Sequence, residues 1–318
     1  MPPRADSSVA LDPAIASARD GGLVYVSDAD PGLRRKALAQ GTFRYVDAAG
    51  KAVRDAATLQ RVRALAIPPA YRDVWICALP NGHLQATGRD ARGRKQYRYH
   101  PNWSEVRGRE KFGRIAEFGA ALPRLRRRLR KDLALPGFPR EKVAAMVVAV
   151  MADTLVRIGN AGYARDNKSF GLTTLRNRHV SFLRGGRARF RFRGKGGIDH
   201  DVVLTDARLA GLLRHCQQLP GQHLFQYQDD EGRAQPVDSG TVNEYLRGAM
   251  GAAFTAKDFR TWGGTLAAIR LLADMPWDED GVSQRAMASM RKSVETEVAR
   301  QLGNTPAVCR KSYVHPRV

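Results

Sequence analysis

The chain has 318 residues, room for one large or two ordinary domains around a sizeable core. Its 53 Lys and Arg stand against 31 Asp and Glu, a formal net charge of +22 that points to a polyanionic partner, nucleic acid ahead of any membrane surface. No apolar run reaches the roughly 18 residues of a membrane span, residues 1–20 lack the apolar core of a secretory signal, and no spacing of Cys and His suits zinc, nor any P-loop nucleotide hydrolysis.

Three scattered cysteines (Cys77, Cys216, Cys309) read as reduced thiols of a cytosolic protein, not as a disulfide framework. A catalyst built from this chain is therefore expected to work without a bound metal, ATP or other cofactor. Residues 1–20 are expected to form a flexible tail. Residues 22–53 carry short β-rich runs, at 23–26 and 42–46, broken by Asp, Pro and Gly. A helix is predicted over 55–65, then strands over 74–79 and 83–88 joined by the turn Pro80-Asn81-Gly82. Together these make a β-rich domain over 21–101. It closes on the basic run Gly93-Arg94-Lys95-Gln96-Tyr97-Arg98-Tyr99-His100. Arg94 and Lys95 suit phosphates, Gln96 a base edge, and Tyr97 and Tyr99 a sugar or phosphate. The plainer reading is a solvated basic loop with one tyrosine packed inward.

Residues 102–133 are charged and helical, with leucines along one side of a cationic end. Residues 141–158 are apolar nearly all round, as in a helix buried in a large core. Arg157 at its end either offsets the negative pole of that helix or is aimed from a rigid support at a ligand phosphate. A period of two follows: Arg187, Arg189, Arg191 and Arg193 alternate with Ala188, Phe190 and Phe192, giving one cationic and one apolar face. Glycine turns bracket this strand, and a third strand is expected over 198–204. Lys195 stands at the tip of the second turn, where an ordinary loop lysine would simply face solvent. Helices are predicted over 206–218, over 239–250 with Thr241 and Glu244 in capping-box spacing, from 257 to about 274, and over 283–302. Arg260, early on the third of these, is a second candidate phosphate clamp.

The last helix start is Thr305-Pro306, a hydroxyl N-cap followed by proline at the first helical position. Asn304 sits at its mouth and Tyr313 about two turns in, with Arg310 and Lys311 nearby. Positive charge favours a phenolate. Tyr313 is thus a candidate nucleophile, and a phosphodiester its natural electrophile in so basic a chain. Read alone, the stretch is also a surface tyrosine on a basic tail.

Taken in order, Arg157-Ile158-Gly159-Asn160, Gly171-Leu172-Thr173-Thr174-Leu175, Gly194-Lys195-Gly196, Lys257-Asp258-Phe259-Arg260-Thr261 and Thr305-Pro306 through Tyr313 resemble the type IB DNA topoisomerases of the poxvirus-type and bacterial branch. The resemblance runs from about residue 22 to 318 and includes the basic run at 93–99. It implies an α+β fold: a small β-rich N-terminal domain and a mainly α-helical catalytic domain over 102–318 with a three-stranded antiparallel sheet. It implies a monomer clamped on double-stranded DNA in the cytoplasm, at the nucleoid, that relaxes supercoils through a 3′-phosphotyrosyl intermediate. Tyr313 would be the nucleophile and Lys195 the general acid. Arg157, Arg260 and Asn304 would stabilise the phosphate. Arg94, Lys95, Gln96, Tyr97, Tyr99 and Lys257 would contact DNA. Poxvirus members carry histidine where this chain has Asn304, which keeps a donor but no full charge. The alternatives are a tyrosine recombinase, which usually has histidine where Lys257 stands, and a non-enzymatic basic DNA-binding protein.

Overall fold

The computed structural model describes residues 12–252, 254–275 and 283–318. It divides into two compact units, Met1–Lys111 and Phe112–Val318.

In the first unit, helix α1 (Pro13–Asp20) precedes strands β1 (Gly32–Ala37) and β2 (Phe43–Val46), helix α2 (Ala56–Ala64), strands β3 (Arg72–Cys77), β4 (Leu84–Arg89) and β5 (Lys95–Tyr99), and helix α3 (Pro101–Gly113), which crosses the boundary. The five strands form one antiparallel sheet in the order β2-β1-β3-β4-β5. The central strands are covered on both faces. Val74 and Ile76 meet Val62 of α2 and Leu33, while Trp75, Cys77 and Leu84 gather around Val26.

Four local expectations change here. Of the tail expected over 1–20, residues 1–11 lie outside the described residues, and Pro13–Asp20 is a helix. Asp12 caps it, and Ala18 is buried with Leu23 and Trp103. The run 23–26 makes only one bridge, Val24 to Gly82, because the next inward donor, Val26 N–H, is taken by His83 Nδ1 at 3.0 Å. Strand β1 is Gly-Leu-Arg-Arg-Lys-Ala, too charged to show alternation. Its Arg35 instead reaches back to donate to the carbonyls of Ile67, Pro68 and Tyr71. The basic run is no loop: its second half is β5, an edge strand with Tyr97 opposite Thr87.

The second unit holds α4 (Ile115–Asp132), α5 (Arg140–Thr154), α6 (Ala161–Asn167), β6 (Val180–Leu183), β7 (Arg187–Arg193), β8 (Asp199–Leu204), α7 (Ala207–Gln217), the small hairpin β9 (Gln226–Gln228) and β10 (Ala234–Pro236), α8 (Ser239–Met250), α9 (Ala256–Ala273), α10 (Gln284–Leu302) and α11 (Pro306–Ser312). The α+β architecture is as expected, with a three-stranded antiparallel sheet ordered β6-β7-β8. Helix α5 is its axis, with Val143, Met146, Val147, Val148, Val150 and Met151 all fully buried. Each such side chain stabilises the fold by about 1.5–3 kcal/mol relative to exposure. Along β7 the alternation is realised, with Ala188, Phe190 and Phe192 buried and Arg187, Arg191 and Arg193 exposed. Helix α8 is capped one turn earlier than its capping-box spacing suggests. The Asp238 carboxylate accepts from Thr241 N–H at 2.7 Å, and Glu244 pairs with Arg140. Among the described residues no helix is long and apolar enough to cross a membrane.

Candidate active site

Helix α5 was expected to reach residue 158 and carry Arg157. It ends at Thr154 instead. The Thr154 hydroxyl donates back to Val150 O at 2.6 Å, and Leu155 turns into the left-handed region at φ 54°. Arg157 therefore leaves the helix in an extended segment and does not lie on its dipole. That segment is pinned. Leu172 N–H donates to Arg157 O at 2.9 Å, and Thr173 donates twice to Ile158 O. Gly171 backs directly onto it: a Cβ at Gly171 would lie 2.5 Å from Arg157 O and 2.6 Å from Gly159 Cα. The side chain then spans to the α10–α11 junction, where Nη1 donates to Gly303 O at 3.4 Å and Nη2 donates to Asn304 Oδ1.

Arg260 comes one turn into α9, after a capping box between Thr255 and Asp258. It is 3% exposed. A buried guanidinium without partners would be very costly. Here Nη1 donates to Leu155 O and Nη2 to Leu302 O at 2.7 Å, so two helix C-termini supply neutral acceptors. Its Cζ sits 4.8 Å from the centre of the Tyr313 ring.

Tyr313 caps α11, its N–H donating to Cys309 O at 2.8 Å. Thr265, also on α9, donates its hydroxyl to Tyr313 O at 3.2 Å and accepts from His315 N–H at 3.1 Å, so the backbone on both sides of Val314 is clasped. Burial raises the phenol's pKa. The charge and hydrogen bonding of Arg260 and then of Arg157 outweigh that and hold it below its ordinary value. Asn304 accepts from Arg157 through Oδ1, which leaves its Nδ2 buried with no partner. Arg260 Nε is likewise buried and unpartnered.

One cleft is lined by Arg157, Lys195, Lys257, Arg260 and Tyr313, with Tyr163 on its wall. Lys195 begins a short helical turn at the tip of the β7–β8 hairpin, followed by Gly196 and Gly197 at φ 77° and 81°. The structure thus brings together all five residues read as catalytic, plus Lys257. The other five expected DNA contacts form a separate cluster on the first unit. Arg94 pairs with Asp90 at 2.7 Å, Lys95 with Asp28 at 2.5 Å, and the Gln96 amide donates to Asp90 at 2.9 Å. Tyr97 and Tyr99 stack with centroids 6.0 Å apart and are 48% and 46% exposed. Sequence reasoning passed over Thr265 as the clasp of Tyr313, since a threonine inside an apolar helix carries no signal of its own. Among the described residues no group of His, Cys, Asp or Glu is arranged to hold a metal.

The comparisons with known proteins define the class. Residues 100–317 match the family model of the eukaryotic DNA topoisomerase I catalytic core, and residues 42–90 match that of the bacterial DNA topoisomerase IB N-terminal domain. The chain belongs to the type IB DNA topoisomerase family, and is thus an isomerase that acts on DNA. Within it, the chain is similar to the DNA topoisomerase 1B of Acanthamoeba polyphaga mimivirus, at 32% identity over 260 residues, which span 80% of this chain and 77% of the viral protein.

Proposed function

We propose that the protein relaxes supercoiled duplex DNA by transient cleavage of one strand, with Tyr313 as the nucleophile. The observation that carries this reading is the pair of buried, unpartnered donors, Arg260 Nε and Asn304 Nδ2, in the corner that Tyr313 closes. A buried donor without an acceptor costs about 1–3 kcal/mol. A phosphate oxygen is the acceptor that would relieve it.

On this reading the Tyr313 phenol releases its proton to water and the phenolate oxygen attacks phosphorus. The bond from phosphorus to the 5′ oxygen breaks, leaving a 3′-phosphotyrosyl link. Lys195 gives its proton to the departing 5′ oxygen, a role worth about 10²–10⁴-fold. Arg157 and Arg260 present guanidinium forks to the non-bridging oxygens, and Asn304 adds a neutral donor. The reverse step reseals the strand with the same proton, so neither ATP nor a metal enters the balance. Lys257, Arg94, Lys95, Gln96, Tyr97 and Tyr99 contact the duplex, and the protein works as a monomer clamped on DNA in the cytoplasm, at the nucleoid.

The test is relaxation of a supercoiled plasmid in EDTA without ATP, comparing the wild type with Tyr313→Phe. Only the wild type should relax it, and only the wild type should form a covalent adduct. Equal relaxation by both would remove Tyr313 from the mechanism.

A further inference from the structure

Strands β7 and β8 pair through Phe192 with His200 and Arg193 with Asp199. The period of two puts His200 on the apolar face with Val202 and Leu204, so an imidazole stands where the pattern asks for a hydrocarbon. Its ring stacks on Phe192, centroids 4.8 Å apart and planes 4° apart. Its edges meet two glycines from distant parts of the unit. A Cβ on Gly194 would lie 2.5 Å from Cδ2 and Nε2, and a Cβ on Gly303 would lie 2.3 Å from Cε1. Gly194 has φ −97° and ψ −166°, which other residues adopt freely. Glycine is needed there because of the ring, not because of the backbone.

These two glycines immediately precede the two donors that the cleft needs. Gly194 precedes Lys195. Gly303 precedes Asn304, and its carbonyl accepts from Arg157. The imidazole is thus a spacer with the lysine turn on one edge and the Arg157–Asn304 corner on the other. The turn is closed on itself by hydrogen bonds from Gly194 N–H to Ile198 O at 2.7 Å and from Gly197 N–H to Gly194 O at 3.1 Å, so it holds its own shape and the ring it packs against helps set its angle to the corner.

We propose that His200 is a positioning residue that sets Lys195 against the Arg157–Asn304–Tyr313 corner. The proposal rests on the general-acid reading of Lys195. The ring stays neutral in this role. Burial, then the charges of Arg157 and Arg260, push its pKa down to about 4, with Asp199 opposing. A neutral spacer fills the gap without adding a competing cation beside the phosphate site. A misplacement of about 1 Å of a catalytic group can cost 10²-fold.

The test is single-turnover cleavage of a duplex carrying either the natural 5′ oxygen or a bridging 5′ sulfur at the scissile bond. A thiolate leaves without protonation, so the sulfur substrate bypasses the general acid. Lys195→Ala should lose about 10²–10⁴-fold on oxygen and recover on sulfur. His200→Ala should lose roughly 10²-fold on oxygen and recover most of it on sulfur. Gly194→Ala, which drives a methyl into the ring, should show the same selective loss, and His200→Phe, which keeps a flat stacked ring, should regain at least about tenfold. The proposal is overturned if His200→Ala cleaves oxygen like the wild type, or if its loss is equal on both leaving groups. If His200→Ala fails to fold, Gly194→Ala decides by the same two criteria. If Lys195→Ala itself is not restored by sulfur, the general-acid reading falls first and the positioning role falls with it.

Discussion

The corner around Tyr313 and the strand β5 are both cationic, and they hold their cations in opposite ways. In the corner, Arg157 and Arg260 are held by neutral acceptors: the carbonyls of Leu155, Leu302 and Gly303 and the amide oxygen of Asn304. At the start of β5 the partners are carboxylates, Asp90 for Arg94 and Gln96, and Asp28 for Lys95. The Arg94 hydrogen bond holds Asp90 down to about 2, so that carboxylate stays charged at any physiological pH. A guanidinium held by carbonyls is fixed in place with its full charge unspent. A lysine held by an aspartate is placed but neutralised, and must exchange partners to meet a phosphate. The first arrangement suits a transition state and the second suits reversible binding along a duplex.

The comparison breaks most sharply at Arg260. Arg260→Gln removes the charge but keeps donors, and should slow covalent adduct formation by about 10²–10³-fold, the usual cost of losing one oxyanion donor. Arg260→Lys should recover little, because one ammonium cannot serve the Leu155 and Leu302 carbonyls and a phosphate together. The same variant gives a pH test with a definite sign. A phenol held below its ordinary value of about 10 should give a cleavage rate that rises with pH and levels off below that value. In Arg260→Gln the raising effect of burial loses its main opponent, so the midpoint should move up. A midpoint that stays put in a single-turnover pH profile would mean the phenol feels Arg260 weakly. Asn304→Ala is a smaller break, expected to cost about tenfold, the worth of one charge-assisted hydrogen bond of about 1.5 kcal/mol.

How far the sequence reveals the two regions follows from the same contrast. Part of the corner was legible at element ends that leave marks, the Thr305-Pro306 start and the glycines around Lys195, and the ordered resemblance of the short segments around Arg157, Arg260 and Asn304 supplied the rest. The period of two predicted the β7 face correctly. Where the reading failed, tertiary partners decided. Nothing in 141–158 announces that Thr154 bonds back to Val150 and ends the helix there, because the run stays apolar to Ile158. Strand β1 hides behind Arg34, Arg35 and Lys36, and Arg35 is placed by the distant carbonyls of Ile67, Pro68 and Tyr71. His200 had a faint signal, an imidazole in the inward register of Val202 and Leu204. Its meaning depends on Gly303, about a hundred residues away.

Along β5 the predicted effects are modest and appear in salt dependence. Lys95→Ala should weaken DNA binding a few-fold and lower the slope of log affinity against log salt by about one, the signature of a single phosphate contact.

Asp28→Asn is the smallest effect and the most informative. It removes the carboxylate while keeping an oxygen for the Thr87 hydroxyl, which donates to Asp28 at 3.0 Å. If the pair merely stores the lysine, freeing it should tighten binding, by no more than about fivefold given that exposed ion pairs are worth at most about 1 kcal/mol. The gain should vanish in the Lys95→Ala background, because a competitor matters only while the lysine is there to be competed for. Weaker binding by Asp28→Asn alone would mean the opposite: Asp28 aims the lysine, as the carbonyls aim Arg260, and β5 is a fixed-charge site after all. Fluorescence titrations of the four proteins at two salt concentrations separate these outcomes.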